Sequence, residues 1–159
     1  MLTEIESCIQ QRRICVVRSA NAGLIELYWE IGRVILARQA SAGWGAKVID
    51  RLAADLRVAY PDMRGFSPRN LMFMRAFAES YEDSAIVKQL VSQLPWGHVV
   101  RLLQRVKTVA GREWYARQVL RNGWSRSTLE RQIQVSAFQR NGQAQNIAEI
   151  EAELGSAIR

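Results

Sequence analysis

An apolar side chain recurs every three, four or seven residues from Leu2 to Ala40, and this pattern constrains the fold more than any other feature. The positions that form the repeat are Leu2, Ile5, Ile9, Val16, Ala20, Leu24, Leu27, Ile31 and Ile35. Such spacing places them along one side of an α-helix, which turns once in about 3.6 residues. The sequence therefore predicts one long amphipathic helix, or two helices that are broken near Asn21-Ala22-Gly23.

The rest of the chain also favours helices, so the fold class that we predict is all-α. Only ten Gly and three Pro occur among 159 residues, which is too few turn residues for a many-stranded β fold. Apolar periodicity predicts helices at 46–60, 68–81, 85–92, 98–109, 112–122 and 126–140, with breaks at Gly43-Trp44-Gly45, Leu94-Pro95-Trp96-Gly97 and Asn141-Gly142. The expected architecture is a multi-helix domain with a long N-terminal amphipathic helix and helix-turn-helix-like units.

Two short stretches of the chain have the same form, Gly, aromatic, Ser, three variable residues and Leu. They are Gly65-Phe66-Ser67-Pro68-Arg69-Asn70-Leu71 and Gly123-Trp124-Ser125-Arg126-Ser127-Thr128-Leu129. The pattern predicts a Gly turn, an aromatic side chain in the core and a Ser that caps the next helix. Each stretch joins two helices, as in a helix-turn-helix, although a capped helix of any function has the same local form.

The two helices that follow these turns differ on their outer faces. In helix 68–81 the core stripe is Leu71, Met74, Ala78 and Tyr81, and the opposite side carries Arg69, Met72, Phe73 and Ala76. That outer face is too apolar to read bases, and it is typical of a buried helix or a protein interface.

Helix 126–140 instead has a polar outer face. Leu129, Ile133 and Ala137 face inward, whereas Ser127, Arg131 and Gln134 point outward together. Arg and Gln can each form two hydrogen bonds to a base edge, and Ser can bind either a base or a phosphate. This face is therefore the candidate for reading DNA.

Positive charge is concentrated in the same part of the chain. The formal net charge is +7, and residues 97–140 contain nine Lys or Arg but only two acids. Residues 1–96 contain twelve basic and ten acidic residues, and those from 141 onward contain one and three. This distribution predicts a polyanionic partner, most commonly nucleic acid, although solvated Arg-rich faces also occur without one. The candidate DNA-binding residues are Arg101, Arg105, Arg117, Arg121, Arg126, Ser127, Arg131 and Gln134.

Signatures of an enzyme are absent from the sequence. His98 is the lone histidine, and no glycine pattern that cradles phosphate occurs. Lys47, Asp50 and Asp55 come nearest to a nuclease-type cluster, but their spacing on one helix suits surface ion pairs better than a metal site. We therefore predict no catalytic residues, no metal and no cofactor.

Cysteine spacing and hydropathy predict a cytoplasmic protein. On one helix, Cys8 and Cys15 lie roughly 10 Å apart, which is too far for a disulfide bond. The first residues include acids and no apolar run, so no signal peptide is expected, and no stretch is apolar enough to span a membrane.

Several motifs together resemble the N-terminal region of the YhcG family of predicted PD-(D/E)xK nucleases. They are Leu27-Tyr28-Trp29-Glu30-Ile31-Gly32, Gly43-Trp44-Gly45-Ala46-Lys47-Val48-Ile49, Leu52-Ala53-Ala54-Asp55-Leu56, the stretch that begins at Gly65, Gln93-Leu94-Pro95-Trp96-Gly97-His98, Trp114-Tyr115 and Asn122-Gly123-Trp124-Ser125-Arg126. The resemblance implies an all-helical domain that precedes a C-terminal nuclease domain and acts in DNA metabolism or in defence against foreign DNA. We predict a domain at 1–142, with sub-units 1–94 and 95–142, and a short acidic tail or the start of a linker at 143–159.

Our function hypothesis is a non-catalytic DNA-binding domain that targets a nuclease. The alternative is a protein-interaction or dimerisation module, for which the candidate residues are Leu24, Leu27, Ile31, Met72 and Phe73. The expected partners are DNA of unknown form, the family's nuclease domain and, in the alternative, a second copy of the chain, but no membrane.

Overall fold

The long apolar repeat forms a single helix, α1 (Leu2–Ala42), in a computed structural model that describes residues 1–42 and 45–157. No break occurs near Asn21-Ala22-Gly23, so the prediction of one helix is confirmed. Residues 1–20 are all exposed, whereas the half of α1 that follows packs against the rest of the domain. Gly43 and Trp44, part of the predicted stop, lie outside the described residues.

The remaining elements are also helical, and the all-α prediction is confirmed. They are α2 (Ala46–Ala59), α3 (Pro68–Ser80), α4 (Ser84–Gln89), a short 3-10 helix (Val91–Gln93), α5 (Trp96–Arg105), α6 (Val109–Asn122), α7 (Arg126–Gln134) and α8 (Ala137–Ala157). The described ranges contain no strand. None of these helices combines the length and the apolar character that crossing a membrane requires, as far as the described residues go.

The prediction of a single helix over 126–140 was wrong, because this segment is divided between α7 and α8. Ser136 adopts a left-handed backbone conformation with φ of 53°, and α8 starts at the next residue. The apolar spacing of Leu129, Ile133 and Ala137 continues across this turn, which contains neither Gly nor Pro and so hides the break. The predicted stop at Asn141-Gly142 was also wrong, since α8 runs through it; a Gly inside a helix costs only about 1 kcal/mol.

Two clusters of buried side chains form the core, and both are built on α1 and α3. One cluster lies among α1, α2 and α3 and contains Tyr28, Ile35, Ile49, Ala53, Phe66, Leu71 and Met74. The other begins at Ile25 and Phe77 and continues through α4 to α8. Trp96 packs against both, with ring centroids 4.9 Å from Tyr28 and 5.6 Å from Phe77. Its Nε1 donates to Oδ1 of Asn70 at 2.8 Å, so α5 is tied to the start of α3.

α1 and α3 approach each other most closely at Gly32. A Cβ atom built on Gly32 would clash with the backbone carbonyl of Met74 and lie 2.9 Å from the Cβ of Ala78. Because the obstacle is backbone, it cannot move aside as a flexible side chain would. Only glycine therefore allows these two helices to pack at this separation.

Side-chain amides and an indole fix the direction of α1 over the domain. Nδ2 of Asn21 donates to the carbonyls of Ser92 at 3.1 Å and Leu94 at 2.8 Å. Two turns further along, Nε1 of Trp29 donates to the carbonyl of Tyr81 at 2.8 Å, just past the end of α3. These bonds satisfy carbonyls that a helix end leaves without partners.

Gly32→Ala should lower the free energy of unfolding by about 1–3 kcal/mol, because the methyl group forces α1 away from α3. Gly23→Ala is the matched control on the same helix, since a Cβ there meets nothing within 4 Å. The control should raise stability by roughly 0.5–1 kcal/mol through helix propensity alone. Urea unfolding followed by circular dichroism measures both, and equal effects of the two changes would contradict the close approach.

Candidate nucleic-acid interface

A capped turn joins α6 to α7 and sets the direction of α7. Gly123 has φ of 64° in the left-handed region, and its N–H bonds to the carbonyl of Val119. Oγ of Ser125 accepts from the backbone N–H of Thr128 at 3.2 Å. Ser67 caps α3 in the same way, through the N–H of Asn70 at 3.1 Å, so both predicted caps are confirmed.

The lone histidine, His98, holds this turn against α5. Its ring is buried, and Nε2 lies 2.8 Å from the carbonyl oxygen of Trp124, to which it donates. The Trp124 side chain packs against the larger core cluster. The start of α5 and the turn before α7 therefore form one unit, and α7 is placed on a rigid support.

The outer face of α7 has the composition that the helical wheel predicts. Leu129 is fully buried and Ile133 half-buried, while Ser127, Arg131 and Gln134 are all exposed. Arg126 is the other exposed residue of this nine-residue helix. Ser127, Arg131 and Gln134 present hydrogen-bond donors and acceptors to solvent in one patch.

α5 lies beside α7 and contributes a charge pair to the same surface. Nε of Arg101 is 3.0 Å from Oε1 of Glu130, and both side chains are about 30% exposed. The side chain of Arg126 lies over Gly97 at the start of α5. Arg105 is exposed on the last turn of α5. We call the side chains that α5 and α7 present here the α5–α7 surface; they are Arg101, Arg105, Arg126, Ser127, Glu130, Arg131 and Gln134.

Arg117 and Arg121 belong to a different surface. Both side chains are exposed on α6 and line a cavity of about 530 Å³ between α6 and the α4 region. Ile86, Gln89, Leu90, Gln93 and Leu120 complete its lining. The eight predicted DNA-binding residues are therefore divided between the α5–α7 surface and this cavity.

Arg112 differs from the other cations of this region because it is buried. It is only 6% exposed, and its guanidinium donates to the carbonyls of Val106 at 2.9 Å, Lys107 at 3.3 Å and Ser80 at 3.5 Å. These carbonyls lie at the C-terminal ends of α3 and α5, where the helix dipole favours a positive charge. The signal for burial was available in the sequence, since Arg112 falls on the α6 stripe of Ala116 and Val119.

The phenol of Tyr81 lies beside this buried guanidinium. The Arg112 carbon Cζ is 5.4 Å from the centre of the Tyr81 ring. Burial raises the pKa of the Tyr81 phenol to about 12, and the charge of Arg112 opposes that shift only in part. Within the described part of the chain, the Tyr81 hydroxyl has no hydrogen-bond partner. The site therefore holds a neutral tyrosine.

The predicted interaction residues lie on α1 and α3 and differ in how far they are buried. Leu24 and Ile31 are half-buried against the smaller core cluster, and Leu27 is half-buried on the same helix. On α3, Phe73 is half-buried beneath the guanidinium of Arg69 at 5.6 Å, and Met72 is 43% exposed.

The carboxylates that the structure describes do not assemble a metal centre. Across residues 1–42 and 45–157, no group of three or more His, Cys, Asp or Glu is placed to hold an ion. Lys47, Asp50 and Asp55 are exposed along α2.

The chain belongs to a family defined by the DUF1016 N-terminal domain, which it matches over residues 4–140. It is 34% identical over 165 aligned positions to the protein named "Putative nuclease YhcG" of Escherichia coli (strain K12). That alignment covers 83% of this chain but 43% of the relative, so the chain spans less than half the length of the curated protein it matches. The resemblance to the YhcG family is thereby confirmed. No solved structure matches the chain.

Tyr81→Phe should remove a loss of stability that the wild-type domain shows in alkali. The folded-state pKa of Tyr81, about 12, exceeds the unfolded value of 10.0. The contribution of the neutral phenol to the free energy of unfolding is therefore fully present below pH 10, and it is lost as pH rises toward 12, because the unfolded chain ionises first. The loss attributable to Tyr81 should approach about 2–3 kcal/mol. At neutral pH the substitution should be neutral or stabilising, because the hydroxyl it removes is unpaired.

Urea unfolding at about pH 8 and about pH 11.5 tests this prediction against the pKa difference. Tyr60→Phe is the control, since it removes a tyrosine that is 54% exposed and should leave the alkaline loss unchanged. An equal alkaline loss in Tyr81→Phe and wild type would contradict the assignment.

Proposed function

We propose that this domain binds DNA without cleaving it, and that it positions the nuclease domain of the longer proteins that share it. We take residues 1–142 as the domain, with units at 1–94 and 95–142 and a tail or linker start at 143–159. The observation that carries the proposal is the capped helix α7 with Ser127, Arg131 and Gln134 exposed on one face. The nuclease named among its relatives supports a nucleic-acid setting.

The geometry of α7 suits contact with base edges. α7 follows α6 after a three-residue turn, and its N-terminal end is unobstructed on the side of Ser127, which is exposed. In helix-turn-helix proteins the N-terminal residues of the second helix enter the major groove. Arg131 and Gln134 lie one and two turns further along the same face, where each can form two hydrogen bonds to one base.

Phosphate contacts are assigned to the cations around α7. Arg105 and Arg126 are exposed on the α5–α7 surface, whereas Arg117 and Arg121 offer phosphate contacts from the separate surface of α6. Arg101 is held by Glu130, so its charge is partly neutralised before DNA arrives.

The expected compartment is the cytoplasm, where bacterial DNA lies, and no cofactor is required.

Arg131→Ala should weaken DNA binding by about 1–3 kcal/mol and relax any sequence or structural preference. Arg105→Ala should instead weaken binding to all DNA about equally and flatten the salt dependence by roughly one unit of log–log slope. Arg38→Ala, an exposed arginine on α1 outside the basic helices, is the matched control and should change neither quantity.

Fluorescence anisotropy with duplex, single-stranded and branched DNA at several salt concentrations measures these effects. No binding to any form at low salt by the folded wild-type domain would refute DNA binding. Equal effects of Arg131→Ala and Arg105→Ala would retain DNA binding but remove the base-reading role of α7.

Glu130→Gln should strengthen DNA binding and make it more salt-dependent. The change removes a negative charge from the α5–α7 surface and releases Arg101, now 3.0 Å from the carboxylate, to neutralise a phosphate. We expect the log–log salt slope to steepen by about one unit. In Glu130→Gln/Arg101→Ala that extra slope should disappear, and its persistence would show that Arg101 is not the cation released.

A further inference from the structure

The first half of α1 is exposed along its whole length, and only near its end, at Val17, Arg18 and Ser19, does it line a cavity with residues of the domain body such as Lys88 and Trp124. All residues from 1 to 20 are exposed, including apolar side chains that are half to two-thirds exposed. Leu2, Ile9 and Val16 are spaced by seven residues, and Ile5 lies between the first two on the same side. A helix this long without tertiary contacts is marginal in water, because most helix stability in proteins comes from packing of an apolar face.

A seven-residue apolar repeat is the pattern by which two helices pair. With Leu2, Ile9 and Val16 at the first heptad position, Ile5, Arg12 and Ser19 take the fourth, and the seam is apolar except at Arg12 and Ser19. Glu6 and Arg13 then flank one side of the seam, and Cys8 and Cys15 flank the other. The exposed half of α1 therefore has the layout of a short coiled-coil strand.

We propose that this half of α1 pairs antiparallel with the same half of a second copy of the chain, so that residue 1 of each faces residue 20 of the other. The pair uses the whole exposed segment, about 30 Å at 1.5 Å per residue. The two domain bodies lie at opposite ends of the paired segment. The contact is isologous, as in a closed twofold dimer.

Charge selects this register over its neighbours. Here Glu6 of each copy lies beside Arg13 of the other, which gives two symmetric ion pairs along the seam. A shift of one heptad in either direction sets Glu6 against Glu6 or Arg13 against Arg13, and it also shortens the overlap or drives the helix into a domain body. The opposite charges seven residues apart thus fit the full-overlap register alone.

Arg12 excludes a parallel pair. In parallel helices the two Arg12 side chains would face each other in the seam, where like charges repel. In the antiparallel register Arg12 instead faces Ile9 of the other copy, and its aliphatic stem covers that side chain while the guanidinium reaches solvent.

The same register brings Cys8 of one copy beside Cys15 of the other, and both thiols are exposed. Cross-linking with the shortest bis-maleimide tests whether these two thiols of different copies lie close together. Wild type should link to dimers, Cys8→Ser and Cys15→Ser alone should link weakly, and an equal mixture of the two variants should regain the link. Strong linking of either single variant by itself would indicate a parallel or shifted pair and would overturn the proposal.

Sedimentation velocity on the whole chain tests the apolar seam. Ile9→Asp should raise the dimer dissociation constant at least tenfold, about 1.4 kcal/mol, while the circular dichroism of the domain body is retained. Val58→Asp is the matched control, an 83% exposed side chain on α2 that should leave the dimer intact. A wild-type monomer at the highest soluble concentration would overturn the proposal, as would a dimer indifferent to Ile9→Asp.

Charge reversal tests the two ion pairs between Glu6 and Arg13. Glu6→Arg and Arg13→Glu should each weaken the dimer, and the double variant should restore it, because the ion pairs reform with opposite sign. A dimer that responds to Ile150→Asp on α8 but not to these changes would place the interface on α8 instead. The assembly is independent of DNA, so all measurements are made without it.

Discussion

The contact between α1 and α3 at Gly32 is the constraint on which the rest of the structure depends. Both core clusters are built on these two helices, and their separation is set by backbone rather than by side chains. α2 covers one side of the pair, and α4 to α7 cover the other. Because only the second half of α1 takes part in this packing, its first half is left exposed with an apolar stripe that Arg12 interrupts.

The arginines of this domain serve two physical purposes that composition does not distinguish. Arg112 is buried and satisfies carbonyls at the ends of two helices, so it stabilises the support on which α7 rests. Arg105, Arg126 and Arg131 reach solvent, as the proposed contacts with DNA require. Arg101 is intermediate, since Glu130 already binds it. The number of solvent-exposed cations is therefore smaller than the charge of residues 97–140 indicates.

Local features of the fold were predictable because they depend on few neighbouring residues. The caps at Ser67 and Ser125 each require one hydroxyl and one backbone N–H three residues later, and both occur where the Gly–aromatic–Ser pattern predicts them. The break between α7 and α8 was not predictable, because Ser136 takes a left-handed conformation without a Gly or Pro to mark it. The exposed face of α7 was predicted correctly because it follows from helical periodicity. The C-terminal end of α7 was not, because no Gly or Pro marks the turn at Ser136.

The sequence by itself determined that the chain is helical and where most helices begin, since periodicity and capping are local properties of the chain. It also determined the family, because several short motifs occur together in the family's order. Only the tertiary structure decided which surfaces those helices share. It divided the eight predicted DNA-binding residues between the α5–α7 surface and the α6 cavity, paired Arg101 with Glu130, and buried Arg112. The physical reason is that a side chain's exposure depends on which other helix packs beside it, and these helices are far apart in the sequence.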